Sequence, residues 1–293
     1  MLETANISLI GNRKINQDRC AVLEDARCSL LLLSDGLGGH PKGEVAAQLL
    51  IDSGKISFSS SIKPIPNPQD FLNRIIRNAH EGIIAFGNKH NPPIQPRATA
   101  VLALIQDGKL FWRHVGDSRL YLFRHAKLVM RTRDHSVLES MQINVNDPND
   151  LIALRYRNLI THCLGGSKKL VIDNESDNEP IQLRQMDMLL LCTDGLWGQF
   201  NDRTLGLRTV NQVPLKQMAN ELANEAYQAS KPRSDNITLV VARWDNKPVE
   251  PISLDADTQI NSETTTPSSD SGFREAISNL RSALNIFSPR KKS

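Results

Sequence analysis

The chain has 293 residues, 40% hydrophobic and 23% charged, enough apolar content for a full-sized core. Its net charge of +3 provides no broad field for nucleic acid, and no apolar run approaches the roughly 20 residues that a membrane helix needs. The opening residues, MLETANISLIGNRK, lack a signal-peptide pattern, and Cys20, Cys28, Cys163 and Cys192 show no CxxC spacing. Together these features point to reduced thiols in a cytoplasmic protein, with neither a disulfide frame nor a zinc site.

Taken in chain order, strand-like runs at 20–24 (CAVLE) and 29–35 (SLLLLSD) precede helical patterns over 43–53 and 68–90. In the second helix Phe71, Ile75, Ala79, Ile83 and Phe86 approximate one face. Four strand-like runs follow at 99–105, 109–115, 119–124 and 127–132, with QDGK at 106–109 as a turn. They read as an antiparallel meander. A strand at 187–194 (DMLLLCTD), a helix over 214–230 with Pro214 in its first turn, and a strand at 237–244 (ITLVVARW) complete the pattern. Strands come in consecutive runs and do not alternate strictly with helices. That favours an α+β layered fold with antiparallel sheets over a doubly wound parallel sheet.

Residues 1–245 therefore read as one folded domain. Residues 246–272 are rich in Pro, Ser, Thr, Asp and Glu and read as a flexible linker. In 273–293, Phe273, Ile277, Leu280 and Leu284 recur at helical spacing before a basic end. This is a short basic amphipathic helix or a disordered tail, suited to weak docking on a membrane surface or a partner.

Two leucine runs end alike, in a short polar residue, then Asp, then Gly: Ser34-Asp35-Gly36 and Thr193-Asp194-Gly195. A buried strand that ends this way delivers a carboxylate to the rim of a sheet. Asp18, Asp117 and Asp235 occupy similar strand boundaries. One Asp at a strand end is ordinary turn chemistry. Five beside apolar strands suggest oxygen ligands for a hard divalent ion such as Mg2+ or Mn2+. Other local patterns are weaker. DGLGGHPKGE lacks the Gly-Lys-Ser/Thr ending of a phosphate loop, and the neighbours Asp134, His135 and Ser136 cannot converge as a nucleophile relay. His114 and His162 lie beside apolar residues and read as hydrogen-bonded core or edge groups.

The segments GNRKINQDR (11–19), SDGLGGH (34–40), RATAVLAL (97–104), HVGDSRLYLFR (114–124), RTRDHS (131–136), ITHCLGG (160–166), LLLCTDGLW (189–197) and SDNITLVV (234–241) occur in that order. In this the chain resembles the metal-dependent protein serine/threonine phosphatases of type 2C, the PPM family, in their bacterial form. The resemblance implies a four-layer α-β-β-α sandwich of two antiparallel sheets flanked by helices. It implies two core Mn2+ or Mg2+ ions, with a third, weaker one in bacterial members. On it, Asp35 bridges both ions, the Gly36 carbonyl binds one, and Asp194 and Asp235 complete the first ion's ligands. Asp18 serves the second ion and Asp117 the third. Arg13 holds the substrate phosphate, a task suited to a planar fork. His40 would protonate the leaving alkoxide as general acid. Water activated by the two metals would attack phosphorus without a covalent phosphoenzyme.

The same resemblance implies phosphorylated protein substrates and a cognate serine/threonine kinase as a further partner; the protein is expected to be a monomer that binds no nucleic acid. The chain departs from the family at Gln17, where many relatives carry Glu, and at Arg97-Ala98-Thr99, where Gly-Thr-Thr is usual. The stretch 137–159 corresponds to the family's variable flap. The alternatives are a pseudophosphatase acting as a regulatory binding module, and a nucleotide-binding α/β protein. Loss of Asp35, Asp194 or Asp235 would mark the first, and a glycine fingerprint with βα alternation the second; the sequence shows neither.

Overall fold

The computed structural model describes residues 2–141, 156, 159–166, 169–172, 180–210 and 213–245. Strand β3 (Cys28–Ser34) shows why the chain forms layers. Side chains alternate along a strand, so Leu30 and Leu32 enter one core while Leu31 and Leu33 enter another. A strand apolar on both faces must be covered on both.

On one side the cover is α1 (Gly43–Ser60) and α2 (Pro68–Asn88). The expected face of α2 is buried in full: Phe71, Ile75, Ala79, Ile83 and Phe86 all line this core. Asn67 opens that helix by accepting the Asp70 N–H at 3.2 Å, and Pro68 follows where its missing N–H costs nothing. On the other side, Leu31 and Leu33 meet Leu120, Leu189, Leu191 and Val240 of a second sheet.

The first sheet runs β10-β6-β5-β3-β2, adding β2 (Arg19–Glu24), β5 (Ala100–Gln106), β6 (Lys109–Val115) and β10 (Ile181–Gln182). The second runs β1-β12-β11-β7-β8, from β1 (Leu2–Leu9), β7 (Arg119–Arg124), β8 (Lys127–Arg131), β11 (Met188–Cys192) and β12 (Ile237–Trp244). A two-stranded ribbon joins β4 (Arg97–Ala98) to β9 (Leu164–Gly165). All strand pairs are antiparallel. The outer face of the second sheet is covered by α6 (Leu215–Ser230), through Leu215, Met218, Leu222 and Ala226. Short helices α3 (Val137–Ser140), α4 (Asp194–Trp197) and α5 (Asp202–Arg208) complete the described residues. The order helix, sheet, sheet, helix is the expected α-β-β-α sandwich.

Three details differ from the sequence reading. The runs from 99 to 132 are not one meander: β5 pairs with β6 in one sheet and β7 with β8 in the other. Residues 116–118 carry the chain between sheets. Strands apolar on both faces give no sign of which sheet they join, so a short link reads as a hairpin. Helix α1 continues beyond residue 53 to Ser60, because Gly54 is a packing glycine and not a stop signal. A Cβ there would sit 2.4 Å from Leu32 Cδ1. Strand β1 appears where none was expected. Its sequence LETANISL alternates weakly, and it is fixed by pairing with β12 from Leu2↔Trp244 to Leu9↔Ile237. The linker, the terminal segment and most of the flap expected at 137–159 lie outside the described residues.

The inter-sheet crossing depends on Gly116, at φ +106°, where a Cβ would meet Thr99 Cγ2 at 2.7 Å. Gly116→Ala is expected to destabilise the protein by about 1–3 kcal/mol. Gly38→Ala, with nothing within 4 Å of an added Cβ, should change stability by less than about 1 kcal/mol. Urea denaturation of both variants checks the contrast.

Candidate metal centre

The five aspartates come from both sheets and meet at one end of the sandwich. Asp18 precedes β2, Asp35 follows β3, Asp117 lies in the crossing after β6, Asp194 opens α4 after β11, and Asp235 precedes β12. Hydrogen bonds from neighbouring strands fix Asp35, Gly36 and Asp18. Asp35 N–H donates to Thr99 Oγ1 at 2.9 Å, and its carbonyl accepts the Thr99 N–H at 2.8 Å. Gly36 bridges Ala98 and donates its N–H to the Gln17 carbonyl at 3.2 Å. Thr193 Oγ1 donates to Asp18 Oδ2 at 3.1 Å, so a residue of the second sheet grips a carboxylate of the first.

The electrostatics record the convergence. Burial, then the charges of Asp18, Asp194, Asp117 and Asp235, push the Asp35 carboxyl well above the usual carboxylate range. Burial, with Asp194 adding repulsion, raises Asp18 to about 7. Its Oδ1 is buried with no hydrogen-bond partner among the described residues. Burial, then Asp194 and Asp134, raises Asp117 to about 8.

Arg13 supplies the positive charge at the edge of this cluster. Its guanidinium forks onto Asp235 through Nε–Oδ1 at 2.8 Å and Nη2–Oδ2 at 2.6 Å. That pair, with the charges of Asp194 and Asp35 beyond it, raises the Arg13 pKa against a smaller opposing effect of burial. The fork engages both Asp235 oxygens, so in this arrangement Arg13 is paired with a residue expected to be a metal ligand.

His40 lies in the loop after Gly36. Its ring Nδ1 is 3.4 Å from the Gly38 carbonyl of the same loop, and a general-acid role for it rests on the resemblance alone.

Several positioning residues were not singled out from the sequence. Asn236 ties the 10–17 loop to the start of β12: its Oδ1 accepts the Gln17 N–H at 2.8 Å, and its Nδ2 donates to the Ile10 and Ile15 carbonyls at 2.8 and 3.1 Å. Trp197 Nε1 donates to the Asp117 carbonyl at 2.9 Å, and the Arg119 guanidinium lies over the indole at 3.5 Å. Arg119 is held in turn by a fork from Asp134, at 2.8 and 2.7 Å. The DHS segment is thus three separate supports: Asp134 holds Arg119, His135 Nδ1 accepts the Gly116 N–H at 3.2 Å, and Ser136 caps α3. His114 is buried with Nε2 2.7 Å from the Arg133 carbonyl, as a hydrogen-bonded core group should be. The signal that was available was the short polar residue beside three of the five aspartates, namely Ser34, Thr193 and Asn236.

Among the described residues no three His, Cys, Asp or Glu side chains close into a ready-made metal cage. The donors nevertheless fit a hard divalent cation. Asp18, Asp35 and Asp117 are carboxylates crowded together at a cost that positive charge would relieve, and Asp18 Oδ1 is buried with no hydrogen-bond partner among the described residues. Mg2+ keeps several of its waters and needs few direct protein ligands.

Comparison with known proteins agrees with this geometry. The family model described as protein phosphatase 2C matches residues 8–232. The serine/threonine protein phosphatase PstP of Mycobacterium tuberculosis is 28% identical over 270 residues, which is 90% of this chain but 50% of that protein. The chain therefore spans about half the length of that relative. Protein phosphatase PhpP of Streptococcus pneumoniae is 23% identical over 253 residues, 85% of this chain and 100% of the relative. Among solved structures, the PstP catalytic domain in complex with two manganese ions superposes with a TM-score of 0.67 at 28% identity, covering 83% of this chain and 97% of that one. The S. agalactiae serine/threonine phosphatase shares the fold at a TM-score of 0.72 and 22% identity, over 83% of this chain and 99% of that one. With a family match over most of the folded region and a sandwich of the same form, the chain belongs to the protein phosphatase 2C family.

Proposed function

We propose that the protein hydrolyses phosphoserine and phosphothreonine in protein substrates with the aid of Mn2+ or Mg2+. The observation that carries this reading is the burial of Asp18, Asp35 and Asp117 against one another and Asp194, at an end of the sandwich where Arg13 supplies a guanidinium. Asp35, the Gly36 carbonyl, Asp194 and Asp235 would hold one ion, with Asp35 and Asp18 serving a second and Asp117 contributing to a third. When bound, such ions supply Lewis acidity, making water a competent nucleophile near neutral pH and offsetting charge on the phosphoryl group.

The chain's own groups have simpler tasks. Arg13, on a loop tied down by Asn236, would present its planar guanidinium to phosphate oxygens beside the Asp235 pair. Thr193 and Thr99 hold Asp18 and Asp35 in place. The side chains argue against a covalent phosphoenzyme. Burial raises the thiols of Cys20 (to about 11), Cys28 and Cys192, the last most strongly, so none of these three is a ready thiolate. The Ser34 and Thr193 hydroxyls donate to the Thr99 carbonyl at 2.6 Å and to Asp18 at 3.1 Å.

The full chain with Mn2+ should release phosphate from a phosphothreonine peptide, and EDTA should abolish turnover. Asp194→Asn should lower kcat at least about a hundredfold, and Arg13→Ala should lower kcat/KM about tenfold or more. Absence of turnover with any divalent ion, from chain shown to be folded by circular dichroism, would leave a non-catalytic binding module.

Metal-free stability offers a second check. Asp18 and Asp117 titrate at about 7 and 8 when folded, against 3.8 ordinarily, so the folded chain keeps protons that the unfolded chain has lost. Their contribution is full below the ordinary range and is lost as pH rises through 7 to 8. In EDTA, Tm should therefore fall between pH 6 and 8.5. Added Mn2+ should raise Tm more at pH 8.5 than at pH 6, as followed by calorimetry.

A further inference from the structure

A cavity lies beside the carboxylate cluster, on the other side of strand β4. Its volume is about 230 Å³, and its walls include Arg97, His162, Cys163, Gly166, Lys169 and Val171. Two permanent cations and an imidazole face it, and no Asp or Glu is among its described lining residues. Arg97 Nη2 donates to Gln95 Oε1 at 3.2 Å, whereas Arg97 Nε is shut away from solvent with no hydrogen-bond partner among the described residues. A buried cationic donor without an acceptor is costly, and an anion held in the cavity beside the same guanidinium offsets that cost. Gly166 lies against the same guanidinium: at φ +66°, its added Cβ would stand 2.9 Å from Arg97 Nε and 3.3 Å from Cζ. The bare backbone at 166 leaves the fork its place.

Strand order fixes the distance from this cavity to the aspartates. The Arg97 carbonyl accepts the Leu37 N–H at 3.0 Å, and Gly36 bridges Ala98, so the Asp35–Leu37 segment runs along one edge of β4. Strand β9 pairs along the other edge, with Arg97 opposite Gly165. Two strand spacings separate the cavity side from the metal-binding side, roughly 10 Å. An extended peptide covers that span in about three residues.

We propose that this cavity is an accessory anion subsite. It would bind an acidic group of the substrate, a carboxylate or a second phosphate, about three residues from the phosphorylated residue undergoing hydrolysis. Arg97 supplies the principal contact and Lys169 a long-range attraction. The inference rests on the phosphatase reading and deepens it, because it assigns substrate preference to residues of this chain outside the carboxylate cluster.

The test uses the full chain with Mn2+ and phosphothreonine peptides that differ only three residues to either side, carrying glutamine, glutamate or phosphoserine. Loss of the threonine phosphate is followed by mass spectrometry. The ratio of kcat/KM for each acidic peptide to that for the glutamine peptide is the readout, so a general loss of active enzyme cancels. The expected ratio is about ten for the preferred acidic group, and it identifies whether carboxylate or phosphate is taken. In Arg97→Gln and in Gly166→Ala the ratio should fall towards one, and in the exposed charge reversal Lys169→Glu it should fall several-fold. A ratio near one in the unaltered chain, or an unchanged ratio in all three variants, overturns the subsite while glutamine-peptide turnover still upholds the phosphatase. Failure to turn over any of the peptides overturns the phosphatase reading and the subsite with it.

Discussion

Like charge held inside an apolar sandwich is the constraint on which this structure turns. Asp18 and Asp35 sit at the mouth of a core built from Leu31, Leu33, Leu189, Leu191 and Val240, where little water screens their repulsion. Left to itself such a cluster would drive the two sheets apart. What prevents it is local and specific. Thr193 donates to Asp18 from the opposite sheet, and is itself locked to Thr238 by bonds of 3.1 Å in both directions. Thr99 holds Asp35 by backbone and hydroxyl, and shares a 2.7 Å bond with Ser118 at the inter-sheet crossing. Each buried leucine contributes about 1.5–3 kcal/mol, and several dozen buried apolar side chains make the local strain tolerable. The fold sustains a destabilising end because the rest of it is well packed.

The chemistry was easier to read in the sequence than the topology. Runs of leucine ending in Ser-Asp-Gly or Thr-Asp-Gly announce strand-end carboxylates, since both the apolar run and the abrupt polar stop are local facts. The layer order was also legible from consecutive strands and from one-faced helices such as α2. The course of the chain between sheets was not. β6 and β7 are each apolar enough to belong anywhere, and only long-range packing tells them apart. The same holds for β1, whose weak pattern is fixed by a partner some 230 residues away in sequence. Among the site residues, the aspartates were visible as a set, whereas the grip of Thr193 on Asp18 and the fork of Arg13 on Asp235 were invisible. Those contacts join segments more than a hundred positions apart.

The surroundings of Asp117 show how a loop can be made rigid without regular structure. Trp197 holds its carbonyl, Arg119 covers the indole, Asp134 holds the guanidinium, and His135 pairs by backbone and ring with Gly116. Stacked planar groups and forked ion pairs lose little conformational freedom for the contact they make. The Arg119–Asp134 pair is largely shielded from water, with side chains 13% and 11% exposed, so salt screens it less than it would a surface pair. The segment leading into α3 is thereby stitched to the aspartate end of the sandwich before it departs.

The pairing of β1 with β12 also has an engineering consequence. Leu9 and Ile237 lie at the aspartate end, and Leu2 and Trp244 at the far end, some 25 Å away at strand rise. Both ends of the described domain therefore emerge side by side, facing away from the aspartate cluster. A short peptide could join them into a circular permutant with new ends opened elsewhere, and a fluorescent reporter fused at either point would stand clear of the carboxylate cluster.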